Sequence, residues 1–222
     1  MTEAGSTRER LVAAAFSLFE ERGYDGASVD DIAARAGVGR TTAFRQFGSK
    51  EAMIFFDHEL LLHRAEERLS DAPIHAISAE VIASANLVFE HYLAEGERAR
   101  SRYQLTSSVP ALRHFEITTV SRYVRLFARH LRNEVAEGNW TDELRAELFA
   151  HAVVAAHNHV LRRWLRRETS TPREDLAEAL ACTWPILRSA PGGQTAVVVV
   201  STGEPVESLV ARLRCAITTT GA

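Results

Sequence analysis

The fold of this chain is decided between Ser28 and Lys50, which read Ser-Val-Asp-Asp-Ile-Ala-Ala-Arg-Ala-Gly-Val-Gly-Arg-Thr-Thr-Ala-Phe-Arg-Gln-Phe-Gly-Ser-Lys. Ser28 with Asp31 three residues later is a capping box, which marks the start of a helix. Gly37 stands where a helix C-terminus needs a residue that tolerates positive φ. Two short helices joined by a tight glycine turn predict a helix-turn-helix, whose second helix enters the DNA major groove.

The second helix of this unit is predicted from about Arg40 to Phe47. Phe44 and Phe47 are three residues apart, so we expect both on its inner side. A third helix is predicted to begin at Lys50, after a serine cap, and to run unbroken to about Leu69.

The charges of this window agree with DNA binding. The residues from Ile32 to Lys50 include four cations and no anion, whereas the whole chain has 26 cations and 29 anions. Affinity that does not depend on sequence comes from neutralising phosphates, so a DNA-binding protein needs positive charge only where phosphates lie. Lys50 is the only lysine of the chain. Its compact ammonium therefore suits a contact at the first turn of the third helix.

Four motifs stand at fixed spacing around this window: Phe-Glu-Glu-Arg-Gly-Tyr from residue 19, Ser-Val-Asp-Asp-Ile-Ala from 28, Ala-Gly-Val-Gly from 36 and Phe-Arg-Gln-Phe-Gly-Ser-Lys-Glu from 44. In these, residues 8–67 resemble the DNA-binding domain of the TetR family of bacterial repressors. The family usually has a tyrosine in place of Phe44, and that phenol commonly touches DNA phosphate. Phe44 keeps the ring and lacks the hydroxyl.

The predicted DNA-binding residues follow from this window and from the resemblance. Arginine grips guanine, and glutamine grips adenine, through two parallel hydrogen bonds. A backbone amide and an ammonium suit phosphates, which are the roles expected of Gly39 and Lys50. The full set is Ser28, Gly39, Arg40, Thr41, Thr42, Phe44, Arg45, Gln46 and Lys50.

Helical periodicity and the resemblance together predict an all-α fold. A three-helix helix-turn-helix head is expected over residues 6–67, with a helical-bundle body for ligand binding and dimerisation over residues 68–222. Residues 195–201 are rich in β-branched side chains, which predicts a short β element near the C-terminus. The sequence leaves the pairing and the role of this tail open.

Two consecutive long helices are predicted within residues 141–188, each with an apolar stripe. The resemblance implies that these helices form half of a four-helix interface in a homodimer. The alternative is that both stripes are absorbed in the core of a single chain.

The resemblance also implies a ligand pocket in the body, between about residues 74 and 165. Its predicted lining is mostly aromatic and uncharged: Phe89, Tyr92, Tyr103, Gln104, Leu105, Ser107, Phe115, Tyr123, Phe127, His151 and Asn158. Such a lining favours a small, mostly apolar effector, because a charged ligand would lack a partner. The arginine stripe of residues 122–132 leaves an acyl-coenzyme A ester open, although such a stripe is more often a solvated face.

No catalytic motif, cofactor-binding motif or metal-ligand spacing is found, so the sequence predicts no enzyme activity, no cofactor and no metal. The absence of an apolar run near the N-terminus predicts a cytoplasmic protein without a membrane partner. Two functions remain open. One, favoured by the cations gathered between Ile32 and Lys50, is a ligand-responsive repressor that binds a palindromic operator in double-stranded DNA as a homodimer. The other is a helical enzyme or binding protein in which the helix pair is incidental. The sequence alone does not separate a repressor from an activator.

Overall fold

The computed structural model describes residues 6–134 and 140–188. Within these ranges the chain forms helices and no strand, so the all-α prediction is confirmed. The α-helices are α1 Thr7–Arg22, α2 Val29–Arg35, α3 Arg40–Phe47, α4 Lys50–Ile54, α5 His58–Asp71, α6 Ile77–Glu95, α7 Glu97–Ser108, α8 Pro110–Glu134, α9 Trp140–Leu165, α10 Pro172–Ala181 and α11 Trp184–Arg188. A short 3-10 helix, Ile74–Ala76, precedes α6. The β element predicted near residues 195–201 lies outside the described residues.

None of these helices combines the length and the apolarity that crossing a bilayer requires.

The helix starts of the head are set by the predicted local signals. Ser28 accepts a hydrogen bond from the backbone N–H of Asp31 (3.1 Å), and the Asp31 carboxylate accepts one from the Ser28 N–H (3.0 Å). Gly37 has a φ of 65°, in the left-handed region that glycine occupies without a steric cost. The turn between α2 and α3 therefore follows from the residues of the window.

The prediction of one helix from Lys50 to about Leu69 is wrong. The chain leaves the helix at Phe55 and resumes it at His58, with a turn between. Phe55 is 4% exposed and its ring stacks on that of Phe115, with the centroids 4.9 Å apart. The break lets Phe55 remain packed beneath the head while the next helix turns toward the body.

The side chains form two hydrophobic cores. The first is built mainly from α1–α4 and includes Leu11, Leu18 and Ile32, but it also takes Leu112 from α8. The second contains residues of α5, such as Leu61, together with residues of α6 and α8–α10. The side chains of α5 therefore belong to the core of the body, and the predicted boundary at residues 67–68 stays a prediction.

The apolar stripe of α10 is partly absorbed within the chain. Leu176 and Leu180 are only 1% and 2% exposed, and both pack in the second core. For α10 the alternative of a stripe buried in the chain's own core therefore holds at these two positions. On α9, in contrast, Leu144 and Leu148 are 44% and 50% exposed.

We predict that Gly37→Ala lowers the free energy of unfolding by about 1–2 kcal/mol, because an L side chain at positive φ is strained even where space is open. No atom lies within 4 Å of the position that a Cβ would take at Gly37 or at Gly39. Gly39 has a φ of −71°, which any residue adopts, so Gly39→Ala is the matched control. Urea denaturation measures both variants, and an equal loss at the two glycines would contradict the conformational explanation.

Candidate DNA-binding surface and ligand cavity

Helix α3 packs on the head through Ala43, its one buried residue, and through half-buried Phe47. Ala43 is 0% exposed and packs in the first core. The expectation that Phe44 faces inward is wrong: its ring is 41% exposed. Phe44 follows Ala43 directly, so its side chain points about 100° around the helix from the buried methyl group. Of the predicted contacts on α3, Thr42 is half-buried and the exposed ones are Arg40, Thr41, Phe44, Arg45 and Gln46.

The cations of the window are not equally available. Arg35 forms an ion pair with Glu21 of α1, with an Nη2–Oε2 distance of 2.7 Å. Arg40 pairs with Asp30 (2.7 Å) and its guanidinium lies over the Phe44 ring, 5.4 Å from the centroid. Arg45 has no hydrogen bond or ion pair within the described part of the chain. Arg45 is therefore the cation of α3 that can reach a base edge without first giving up a partner.

Ser28 and Lys50 already have structural partners. The Ser28 hydroxyl takes part in the capping box of α2. The ammonium of half-buried Lys50 donates to the backbone carbonyls of Tyr24 (2.9 Å) and Ala27 (3.4 Å) and lies 3.9 Å from the centroid of the Tyr24 ring. Lys50 therefore fastens α4 to the loop that follows α1, which the sequence prediction of a phosphate contact missed.

We predict that Lys50→Ala destabilises the folded chain by about 1–2 kcal/mol, since it removes a charged donor from two carbonyls and a cation–π contact. Arg45→Ala, which removes a partnerless exposed cation, should leave the unfolding midpoint unchanged. Thermal and urea denaturation of both variants test this contrast. If Lys50→Ala proves as stable as Arg45→Ala, the fastening role is wrong.

The body contains an apolar cavity between α5, α6, α8 and α9, whose empty space of about 540 Å³ includes open solvent at its mouth. We call it the body cavity. Its lining residues are His58, Ala85, Val88, Tyr92, Glu116, Thr119, Val120, Tyr123, Phe127, Val154, His157, Asn158 and Leu161. Four of the predicted ligand-binding residues line it: Tyr92, Tyr123, Phe127 and Asn158.

Three further predicted residues lie near the cavity without lining it. Phe89 is 1% exposed, and its ring packs edge-on against His157, with the centroids 5.7 Å apart. Tyr103 lies on a neighbouring cleft, where its phenol accepts a hydrogen bond from Arg166 Nε (2.7 Å). His151 is exposed on an open groove between α8, α9 and α10.

The structure separates the remaining four predicted residues from the body cavity. Leu105 and Phe115 pack against the first core. Gln104 and Ser107 are exposed on α7, and the Ser107 hydroxyl donates to the carbonyl of Tyr103. The corner between α7 and α8 turns these four side chains toward the head or toward solvent, away from the center of the body.

Sequence reasoning missed His58, Glu116, Thr119 and His157 on the cavity wall. His157 lies one turn after Val154 and one turn before Leu161, so tracing the buried face of α9 would have found it. His58 was hidden by the unpredicted break before α5. The direction of the His58 side chain depends on where α5 begins, and the sequence had not indicated that start.

Burial sets the charge of the polar groups in this cavity. Desolvation lowers the pKa of His58 to about 3, assisted by the nearby charge of Arg102, and lowers the pKa of His157 to about 4. Burial raises the pKa of the Tyr123 phenol and also that of the Glu116 carboxyl. Both imidazoles and the phenol are therefore neutral near pH 7.

The arginine stripe of α8 is partly occupied by contacts with α5. Arg122 donates to Glu59 through both terminal guanidinium nitrogens, with an Nη2–Oε2 distance of 2.9 Å, and Arg129 donates to Glu66. Arg125 is exposed without a partner in the described residues. Two of the four stripe arginines thus tie α8 to α5.

A second polar cluster lies beside the break before α5. Asp57 Oδ2 is 3.0 Å from His91 Nε2, and these atoms, with a carboxylate oxygen of Glu95, lie within 4.8 Å of one another, close enough for a metal ion. Glu95 Oε1, however, accepts from Arg102 Nη2 (2.5 Å) and Arg98 Nε (3.2 Å). Two guanidinium charges already balance the two carboxylates, which weakens the case for a divalent cation.

Two family models match this chain. Residues 11–55 match the model of bacterial regulatory proteins of the tetR family, and residues 71–185, more than half of the chain, match the MftR C-terminal domain. The chain belongs to the TetR family of bacterial regulatory proteins. It has the fold of a TetR-family transcriptional regulator.

Individual relatives agree with this assignment. A protein of Mycobacterium tuberculosis, named as a candidate mycofactocin biosynthesis transcriptional regulator, MftR, is 25% identical over 175 residues, which are 78% of this chain and 87% of that protein. A TetR-family structure from Syntrophomonas wolfei superposes with a TM-score of 0.60 at 18% identity, over 84% of this chain and 97% of the other. The SmeT–triclosan complex gives a TM-score of 0.57 at 20% identity, over 88% of this chain and all of SmeT. At these identities the two structures show the fold alone.

Proposed function

We propose that this TetR-family protein is a repressor that binds a palindromic operator as a homodimer and releases it when a small, mostly apolar effector occupies the body cavity. The observation that carries the proposal is the outer face of α3, where partnerless Arg45 and exposed Gln46 stand on a helix anchored by Ala43. Arginine and glutamine are the side chains that read guanine and adenine by paired hydrogen bonds.

We predict that Arg45→Ala weakens binding to the protein's own upstream DNA by at least about fivefold, the lower end of the 1–3 kcal/mol of a bidentate base contact. Binding to unrelated DNA should fall less. Arg125→Ala, which removes an exposed arginine from α8 in the body, is the matched control and should bind as the wild type does. Mobility-shift titrations at fixed salt measure all of these affinities.

The proposal fails if the wild type binds upstream DNA no better than unrelated DNA of equal length. If Arg45→Ala weakens binding to all sequences equally, Arg45 contacts phosphate and the base-reading role is wrong.

The face of α9 that supports dimerisation carries Leu144, Leu148, His151, Ala155 and His159, all exposed and at helical spacing. Exposed leucines one turn apart favour a partner surface. A two-fold axis through this face would place two heads on half-sites about one DNA turn, ~34 Å, or more apart.

We predict that Ala155→Asp raises the dimer dissociation constant by at least about tenfold while the helical signal in circular dichroism is unchanged. The same substitution at Ala13, an exposed position on α1, is the control and should leave the dimer intact. Analytical ultracentrifugation measures both. Leu180 is unsuited to this test because its burial in the second core means that a charge there reports on folding. A wild type that is monomeric at micromolar concentration would contradict the proposed dimer.

The cavity adjoins the break that separates head from body. Tyr92 OH and His58 Nε2 are 3.1 Å apart in its wall. The residues that precede them in sequence, His91 and Asp57, are in contact with each other. A ligand that displaces either ring therefore acts next to the junction. Such a ligand shifts the equilibrium toward the arrangement of heads that releases DNA only if it binds that arrangement more tightly than the DNA-bound one. SmeT, of the same fold, is seen in complex with triclosan, which supports a small effector in such a body.

A further inference from the structure

The lining of the body cavity contains three buried polar atoms without a hydrogen-bond partner in the described part of the chain: His58 Nδ1, Tyr123 OH and His157 Nε2. They come from α5, α8 and α9. Buried polar atoms are nearly always paired, by protein or by water. Three unpaired atoms on the wall of one apolar cavity therefore specify what should enter it.

The partner of the His157 ring shows which of its two nitrogens carries the hydrogen. His157 Nδ1 lies 3.1 Å from Asn158 Oδ1. An amide oxygen only accepts, so Nδ1 carries the hydrogen, and the neutral ring leaves Nε2 as an acceptor. The Tyr123 hydroxyl both donates and accepts. The ligand must therefore donate to His157, and it gains further by accepting from Tyr123.

The charges on the cavity wall limit which ligands can bind. No lysine or arginine lines the cavity among the described residues, whereas Glu116 does. A carboxylate or a phosphate would leave water without a cation to pair with, which is costly in an apolar site. A simple ether or ketone accepts only, so it would leave His157 Nε2 unpaired.

We propose that the effector of this cavity is an uncharged apolar molecule bearing a hydroxyl group, which donates to His157 Nε2 and accepts from Tyr123. This inference rests on the proposed function for the site and goes further by naming the ligand class. It argues against the acyl-coenzyme A ester that the sequence left open. A hydroxyl group can both donate and accept, as a water molecule can, so it satisfies these two atoms without a hydrogen bond being lost.

Isothermal titration calorimetry with four probes of one shape tests the class: 4-propylphenol, its methyl ether 4-propylanisole, propylbenzene and 4-propylbenzoate. We expect the phenol to bind at least about tenfold more tightly than each of the others. Equal affinity of the phenol and its methyl ether overturns the donor role. Tightest binding by the carboxylate, or no binding by any probe, overturns the ligand class.

Two variants locate the hydroxyl. Tyr123→Phe and His157→Phe should each reduce the preference for phenol over propylbenzene by at least about threefold while propylbenzene binding is retained, which also shows that the variant is folded. Tyr103→Phe removes a phenol oxygen outside the cavity and is the matched control, expected to keep the full preference. If Tyr103→Phe loses the preference and Tyr123→Phe keeps it, the assignment is wrong.

Operator release is measured separately, by mobility shift with 4-propylphenol. If the phenol shows the expected preference but the DNA stays bound, the ligand class stands and the effector part of the proposed function fails. If a ligand of another class binds in the cavity and releases the DNA, the proposed function stands and this inference fails.

Discussion

Within residues 6–134 and 140–188, the arrangement of the head and the body depends on a three-residue interruption between α4 and α5. Phe55 has to stay in the first core, stacked on Phe115, while Leu61 has to enter the second. A continuous helix fixes the directions of side chains six residues apart and cannot serve both cores. The turn resolves this conflict, and polar contacts on its far side hold it: Asp57 with His91, and His58 with Tyr92. One short segment therefore supplies Phe55 to the core of the head, Asp57 to the junction and His58 to the cavity wall.

The polar groups around this segment divide into two kinds. On the α6–α7 side, Glu95 and Arg102 are almost fully buried and pair with one another, so their charges compensate locally. On the cavity side, His58 and His157 are buried without a compensating charge, and desolvation keeps both neutral by lowering their pKa values. The first kind of group holds the corner between two helices. The second kind leaves hydrogen-bonding capacity facing the body cavity.

Local signals predicted the head well because its geometry is set by neighbours in sequence. The capping box of Ser28 and Asp31 and the positive φ of Gly37 each involve residues within one turn. Contacts between residues far apart in the sequence were harder to predict. Nothing in the sequence near Phe55 marks a helix end, since neither glycine nor proline stands there and the break serves a ring on α8. Likewise, the partners of Lys50 are backbone carbonyls more than twenty residues earlier, and only the fold reveals them. For the cavity, the choice of aromatic positions succeeded at Tyr123 and Phe127 of α8. It failed at Phe115, near the start of the same helix, and at Leu105 of α7, because both pack against the first core.

The presence of Leu112 in the first core has a consequence for how the molecule comes apart. Leu112 is 0% exposed among residues of the head, and Leu105, Val109 and Phe115 cover the same core from the α7–α8 corner. A fragment that ended after α5 would lack these side chains and would expose the apolar surface beneath them. The head is thus thermodynamically incomplete without a segment that follows it by some forty residues. Loosening the α7–α8 corner removes part of the head's own core, so we expect the two cores to unfold together. A head transplanted onto another body would need a matching corner supplied by its new host.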